Sequence, residues 1–340
     1  MSAPAVPDGV ERDFPLARLT TVRTGGRAEW FARAGSEERL RGLLAWALGA
    51  RLAVSVVGSG SNLLVADEGV RGLVLKLDGE LARIDVQPPR IVCGAGARLP
   101  ALATRAARAG LSGIEFGVNI PGTVGGAVRM NANAYGGELE RVLEWVDVTV
   151  PSVAGDPAER AGAGPGAGAG PTASEVQVAR RAPAELGLAY RSSRLTAGEI
   201  VVRASLRLEA APVERVRQTI DAMRARRHEA QPQGIKTFGS TFTNPGDPGA
   251  QGRTAGQLLA DAGCAGLAVG GARFAPKHAN FVENTGSATT ADIVELMAAG
   301  RARVLERFGV ALEPEAQTLG PVRFPWRSPD AGAREIAGSS

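Results

Sequence analysis

"IPGTVGGAVRMNANAYGG" occupies Ile120–Gly137 of a 340-residue chain. Five glycines, two asparagines, a threonine and a proline share it with one charged residue, Arg129. It is too long, too apolar and too regular in glycine for an ordinary connection. Glycines in series let the backbone approach another group with no Cβ in the way, so that amide N–H groups can converge on an anion. A second stretch of this kind, "GSGSN" at Gly58–Asn62, follows the apolar run Ala53–Val57. It is not a dinucleotide fingerprint, because Leu63 stands where the third glycine belongs and no helical pattern follows. A Walker lysine is also missing. Alone, "GSGSN" reads as a tight turn as readily as a phosphate cradle.

The chain around these stretches narrows the choice. Its length suggests two or three domains. Hydrophobic residues make up 44% and charged residues 22%, an ordinary globular composition. Aromatics at 4% argue against stacked nucleic-acid platforms, and a net charge of +4 without a dense basic block gives no nucleic-acid track. Cys93 and Cys264 lie far apart, and His228 and His278 complete no ligand cluster, so neither a disulfide framework nor a metal site is expected. Met1–Leu19 lacks a signal-peptide pattern and no apolar run reaches about 18 residues, which predicts a soluble, cytoplasmic protein without a membrane span. Lysine occurs only at Lys76, Lys236 and Lys277 among 39 basic residues. Genome composition accounts for that bias, yet an ammonium and a guanidinium are not interchangeable.

Patterning predicts an alternation of strands and helices. Ser36 caps a helix to Leu48, with Leu40, Leu43, Leu44, Ala47 and Leu48 on one face. Strands are expected at Ala53–Val57, "GLVLKL" from Gly72 and "RIVCGAG" from Arg90, then a helix over Leu99–Ala109. "PSVAGDPAERAGAGPGAGAGPTAS", from Pro151 to Ser174, has nothing to bury and is expected to be a mobile insertion. The runs Val146–Val150 and Ser174–Ala179 both alternate, so the insertion reads as an enlarged turn between two strands, with an inter-domain linker as the other possibility. A basic amphipathic helix follows over Pro212–Glu229, with Val213, Val216, Ile220 and Met223 on its apolar side. Further helices are expected over Thr254–Ala262 and from Thr289, where Thr289 and Asp292 form a capping pair. The tail from Arg323 to Ser340 is expected to fray.

Taken together, "VVGSGSNLLVADEGVRGLVLKL" (Val56–Leu77) and "EFGVNIPGTVGGAVRMNANAYGGEL" (Glu115–Leu139) resemble the flavin-binding segments of the UDP-N-acetylenolpyruvoylglucosamine reductase (UDP-N-acetylmuramate dehydrogenase) family. That family belongs to the vanillyl-alcohol-oxidase/PCMH flavoprotein superfamily. The likeness runs from "TTVRTGGRAEWF" at Thr20 to "LEPEAQTLG" ending at Gly320, with the motifs in the family's order. It implies an α+β fold: a PCMH-type FAD-binding domain of two α+β subdomains over 20–211, then a C-terminal α+β substrate-binding domain over 212–322. Residues 1–19 would form an N-terminal arm and 323–340 a tail. FAD would be held by Gly58, Ser59, Gly60, Ser61 and Asn62 on one side of its pyrophosphate. Ile120, Pro121, Gly122, Thr123, Gly125, Gly126, Ala127 and Asn131 would line the ring and the pyrophosphate from the other.

The resemblance also implies the reaction. "AYRSSR" places Tyr190 and Arg191 on the family's Tyr-Arg-x-Ser motif, "FGSTFTNP" places Ser240 on its catalytic serine, and "EPEAQTLG" places Glu315 on its catalytic glutamate. NADPH would reduce FAD and leave, and UDP-N-acetylglucosamine enolpyruvate would then enter the same cleft of a monomeric enzyme, a ping-pong scheme. Hydride delivered to the enolpyruvyl β-carbon leaves negative charge spreading from the α-carbon into the carboxylate. Arg191 can stabilise that charge, Ser240 can protonate the α-carbon, and Glu315, protonated, can polarise the carboxylate. Tyr190, Asn244 and Lys277 are the substrate-binding candidates. Thr243 departs from the lysine common in the family, and the arginines near Arg227 could take over its phosphate. Between Arg191 and Ser240 there is no room for the extra substrate-capping loop of one branch, so the chain resembles the shorter branch.

Other functions stay open on sequence. An FAD-dependent oxidase of the same superfamily would turn over with oxygen and would not need Arg191, Ser240 and Glu315 together. A non-catalytic nucleotide-sugar-binding protein would purify colourless. A serine hydrolase is disfavoured because "FGSTF" is not a nucleophile elbow. Ala161–Pro171 holds only alanine, glycine and proline, so deleting it should leave FAD content and thermal stability nearly unchanged. A large loss of bound flavin in that deletion variant would make the segment part of the site.

Overall fold

In the computed structural model, residues 4–151, 176–196 and 198–327 are described. Strands and helices alternate as β1 (Val10–Pro15), β2 (Arg27–Ala34), α1 (Glu37–Gly49), β3 (Val54–Val56), β4 (Leu63–Val65) and β5 (Val70–Leu77). Then come β6 (Ile84–Gln87), β7 (Arg90–Gly94), α2 (Leu99–Arg108), α3 (Val124–Arg129), β8 (Leu143–Pro151), β9 (Val176–Arg181) and β10 (Ile200–Arg207). The C-terminal part adds α4 (Val213–Ala230), α5 (Ala255–Asp261), β11 (Ala268–Val269), β12 (Ala272–Phe274), β13 (Val282–Asn284), α6 (Thr290–Phe308) and β14 (Gln317–Leu319). The fold is α+β. The chain divides into two compact units. The first gathers the chain up to Arg12, Trp30–Gly58 and Arg71–Arg217; the second gathers Asp13–Glu29, Ser59–Val70 and the chain from Gln218 on.

The first unit carries the sheet β9-β8-β10-β7-β6, together with strands of the sheet ordered β1-β2-β5-β3. Ser36 caps α1 as expected, its Oγ accepting from Arg39 N at 3.1 Å. The buried face of α1 is turned from the expected one. Trp46 is buried and meets Trp30 edge-on at 5.7 Å, which draws Leu43, Trp46 and Ala47 inward and leaves Leu48 49% exposed. The runs flanking the insertion pair as antiparallel neighbours, with Pro151 opposite Val176. The insertion itself, from residue 152, lies outside the described residues. Within the sheet, the buried Asp147 carboxylate is tolerated because Arg180 (2.8 Å) and Arg203 (3.3 Å) both reach it.

In the second unit, Phe238, Phe242 and Phe274 are fully buried with Leu258, Leu259, Ile293, Leu296 and Met297 from α5 and α6. Helix α6 begins with the predicted box: Asp292 N donates to Thr289 Oγ1 (3.0 Å) and Thr289 N donates to Asp292 Oδ2 (2.9 Å). The bond from Thr289 N to the ionised carboxylate, with another from Gly271 N, holds the Asp292 carboxyl below its usual range. Gly309 ends the helix at φ +69°. Pairing β14 with β4 is parallel, Gln317 opposite Leu63 and Leu319 opposite Val65. The start of the expected tail is not frayed. Phe324 is buried and lies 5.2 Å from Trp326, over which the Arg301 guanidinium sits; residues from 328 lie outside the described residues. No helix among the described residues is long and apolar enough to cross a membrane.

Removing the α1 cap should be visible in solution. Ser36→Ala is expected to cost about 1 kcal/mol in a urea titration of the holoprotein, with an unchanged slope.

Candidate active site

The glycine-rich segment contains a short helix that its sequence did not announce. Thr123 caps α3, its Oγ1 accepting from Gly126 N (3.4 Å), while Val124 N donates to Ala97 O and Gly125 N to Ala95 O, each at 2.8 Å. The first amides of this turn are therefore committed inside the unit. An added Cβ on Gly125 would stand 3.0 Å from the Ala95 Cβ, so this glycine serves close packing. Gly126 is exposed, and a Cβ there would find only Thr123 Oγ1, at 3.6 Å. A Cβ on Gly58 would come within 2.5 Å of Thr123 Oγ1. Glycine there lets the end of β3 lie against Thr123, and so the two glycine motifs meet through Gly58 and Thr123.

The rest of the segment is divided between fold and surface. Asn131 is fully buried at φ +37°; its amide donates to Glu138 (3.0 Å) and Glu140 (3.3 Å) and its Oδ1 accepts from Glu140 N. Its side chain serves the fold. Ala127 is buried, Ile120 and Gly122 are half-buried, and Pro121 is exposed.

Tyr190 and Arg191 form the tip of a tight turn in the same unit, closed by reciprocal Ala189–Ser192 backbone hydrogen bonds of 3.1 Å. Arg191 has φ +57°, in the left-handed region where a side chain is unfavourable by about 1–2 kcal/mol. Glycine or asparagine would be the ordinary choice. Arg23 and Arg51 share this conformation, and the Arg191 guanidinium lies 5.7 Å from the Tyr190 ring. Tyr190 is 54% exposed.

The second unit brings Ser59–Asn62, Ser240 and Glu315 together. Thr21 Oγ1 donates to Thr237 O (2.6 Å), and Thr21 N donates to Gly60 O (3.0 Å). Gly60 itself, at φ +62°, has Leu19 O where a Cβ would stand. Gly239, at φ +85°, would carry a Cβ 3.4 Å from Ser61 O. Asn62 Nδ2 donates to Glu315 O (3.2 Å) and Glu315 N to Thr241 O (2.9 Å). Thr243 N donates to Glu313 O (2.9 Å), which sets Glu315 opposite Thr241, one residue along from Ser240. Ser240 also bridges Phe281. Meanwhile the amides of Ser59–Asn62 donate to no backbone carbonyl among the described residues, and Ser59 Oγ is buried with no partner. Donors left over in this way suit the diphosphate of a dinucleotide such as FAD.

Two residues of this cluster were not singled out by sequence. Thr21 lies in the quoted "TTVRTGGRAEWF", but a threonine before a glycine pair gives no sign of a tie to residues more than 200 positions away. Buried Asn280, in "PKHANF", holds the segment after Ser240: its Oδ1 accepts from Phe242 N and its Nδ2 donates to Phe242 O, both at 2.9 Å. Lys277 and Asn244, both exposed, make structural contacts in the same unit. Lys277 Nζ donates to His228 O near the end of α4 (2.9 Å), and Asn244 Oδ1 accepts from Ala255 N (3.1 Å) at the start of α5. The Cys93 thiol is buried and pushed up to about 12 by desolvation, which removes it as a nucleophile.

The conformation of Arg191 makes a prediction. Arg191→Gly relieves the left-handed strain, so the melting temperature should stay level or rise while turnover of substrate collapses. Parallel loss of stability and activity would make Arg191 a structural residue only.

The chain is similar to known proteins along most of its length. A family model for the UDP-N-acetylenolpyruvoylglucosamine reductase C-terminal domain matches residues 231–319, and an FAD binding domain model matches residues 28–152. The UDP-N-acetylenolpyruvoylglucosamine reductase of Heliobacterium modesticaldum is 38% identical over 320 residues, spanning 92% of this chain and 93% of that protein. The enzyme of the same name from Anaeromyxobacter sp. is 41% identical over 314 residues, spanning 92% and 89%. The crystal structure of UDP-N-acetylenolpyruvylglucosamine reductase from Thermus caldophilus superposes with a TM-score of 0.72 at 35% identity, covering 91% of this chain and 98% of that one. With two domain models in order and relatives matched along nearly their whole length, the chain belongs to the UDP-N-acetylenolpyruvoylglucosamine reductase family.

Proposed function

We propose that this chain reduces UDP-N-acetylglucosamine enolpyruvate to UDP-N-acetylmuramate, a peptidoglycan precursor, with FAD bound and NADPH as co-substrate, as a cytoplasmic monomer. Family membership supports the activity and the cofactor. The observation that supports the assignment of residues is the backbone pairing of Glu315 with Thr241, next to Ser240, together with the bond from Asn62 Nδ2 to Glu315 O. When bound, FAD supplies a carrier that accepts a hydride from one substrate and passes it to the next.

The protein's own residues do the rest. Ser59 Oγ and the amides of Ser59–Asn62 hold the dinucleotide's diphosphate, and the family resemblance assigns Gly122, Thr123 and Gly126 to the flavin as well. Arg191, at the tip of its turn, pairs with the substrate carboxylate and stabilises the charge that spreads into it in the transition state. Ser240 donates its hydroxyl proton to the α-carbon. A hydroxyl is a weak acid, so this transfer needs a strongly basic carbon within hydrogen-bond reach. Glu315 acts beside it on the substrate carboxylate. Thr243 donates its hydroxyl to Glu313 O (3.3 Å) and carries no charge, so the family resemblance leaves the phosphate contact to the arginines near Arg227.

Ser240→Ala separates the two halves of the cycle. Treated anaerobically with NADPH, the variant should lose its yellow absorbance at nearly the parent's rate. On addition of the enolpyruvyl sugar nucleotide, recovery of colour should slow by about 10²–10⁴-fold, the usual contribution of a placed proton donor. Cysteine at the same position should restore part of the rate. Recovery as fast as the parent's would remove Ser240 from the mechanism.

A further inference from the structure

Lys76 is one of the chain's three lysines, and nothing in the reaction above uses it. It lies on β5 in the first unit, half-buried, and its Nζ donates to Gly58 O at 2.6 Å. Gly58 is the residue that opens the "GSGSN" turn and abuts Thr123 Oγ1. We infer that Lys76 is a positioning residue for the flavin diphosphate, fixing the peptide between Gly58 and Ser59 and placing an ammonium behind it.

The geometry works through the peptide plane. Carbonyl and N–H of a trans peptide point in opposite directions. Drawing Gly58 O inward to Lys76 therefore turns Ser59 N–H outward, and that amide donates to no backbone carbonyl among the described residues. The side-chain hydroxyl of the same serine is buried and unpartnered. Both donors at Ser59 are thus available to an anion, and the bond to Lys76 holds one of them in place.

Charge balance points the same way. Burial pushes the Lys76 ammonium toward its neutral form, and the nearby guanidiniums of Arg33 and Arg98 add to that; Asp78 opposes it. Asp78 is shared with Arg33, at 2.9 Å. Arg98, immediately before α2, pairs through its backbone with Thr123. Lys76 with the two guanidiniums outnumbers the one carboxylate that acts on it, a surplus that a bound diphosphate would reduce. The carbonyl of a turn alone would not call for a charged donor, since water or a neutral side chain satisfies it equally well.

The test rests on FAD binding and reads binding instead of turnover. Flavin per chain is measured on the purified full-length protein, and the dissociation constant from free-flavin fluorescence on dilution, for the parent, Lys76→Met, Lys76→Gln and Lys76→Arg. Lys76→Met should weaken FAD binding about tenfold or more, the scale of a lost charge-assisted hydrogen bond. Lys76→Arg should recover most of the loss, and Lys76→Gln, which keeps a donor without the charge, only part. Because the defect is in binding, excess FAD should bring the melting temperature of Lys76→Met back to the parent's. A melting temperature still depressed at saturating FAD would show a purely structural lysine and overturn the inference. Parent affinity in Lys76→Met would overturn it too, and if that variant does not fold, parent affinity in Lys76→Gln serves the same purpose. A parent that takes up no FAD would instead sink the flavin assignment itself.

Discussion

The parallel pairing of Gln317–Leu319 with Leu63–Val65 is the constraint on which the second unit's site depends. It brings the end of the globular chain to the strand that leaves the "GSGSN" turn, and it puts Glu315 O within reach of Asn62, 253 positions earlier. The entropy cost of closing such a loop grows only slowly with its length, so a few strand hydrogen bonds and the buried Leu64 and Leu319 suffice to hold it. Once the pairing is made, the remaining ties follow in register. Glu315 N meets Thr241 O, Gln317 N meets Asn62 O, and Thr21 spans Gly60 and Thr237. Four segments that are separate in sequence come together.

Glycine has different work at different positions of the motifs. Gly58, Gly60 and Gly125 have no room for a Cβ, because Thr123, Leu19 and Ala95 occupy the space. Each of these glycines allows a close approach within its own unit. Gly126 has space around it, and there the absence of a side chain leaves the surface open. The same division appears among the polar groups. Asn131 is spent on Glu138 and Glu140, whereas Ser59 keeps its hydroxyl in reserve. Arg191 is the opposite case, a large side chain kept at a backbone conformation where glycine would be easier.

Much of the fold was legible because caps and periodicity are local. Ser36, Thr254 and Thr289 cap the helices expected of them, and the alternating runs on either side of the insertion pair. What escaped was set by distant partners. Leu48 looked buried until Trp46 took its place in the core, and α3 hides in a segment too rich in glycine to show a helical pattern. The candidate site divides in the same way. Ser240, Glu315 and Arg191 came from motif resemblance, since a turn serine, a strand-end carboxylate and a surface arginine carry no local sign of chemistry. Thr21 and Asn280 could not be read at all, because their importance lies in carbonyls and amides that only folding brings to them.

If the free donors of Ser59–Asn62 hold the FAD diphosphate as proposed, an active preparation of a chain of this family should carry flavin. The visible absorption spectrum of the purified full-length protein tests that most directly. A yellow flavin spectrum is expected, bleached by NADPH in the absence of oxygen and restored by UDP-N-acetylglucosamine enolpyruvate. A protein that stays colourless with added FAD, or one whose colour NADPH removes and only oxygen restores, would contradict it.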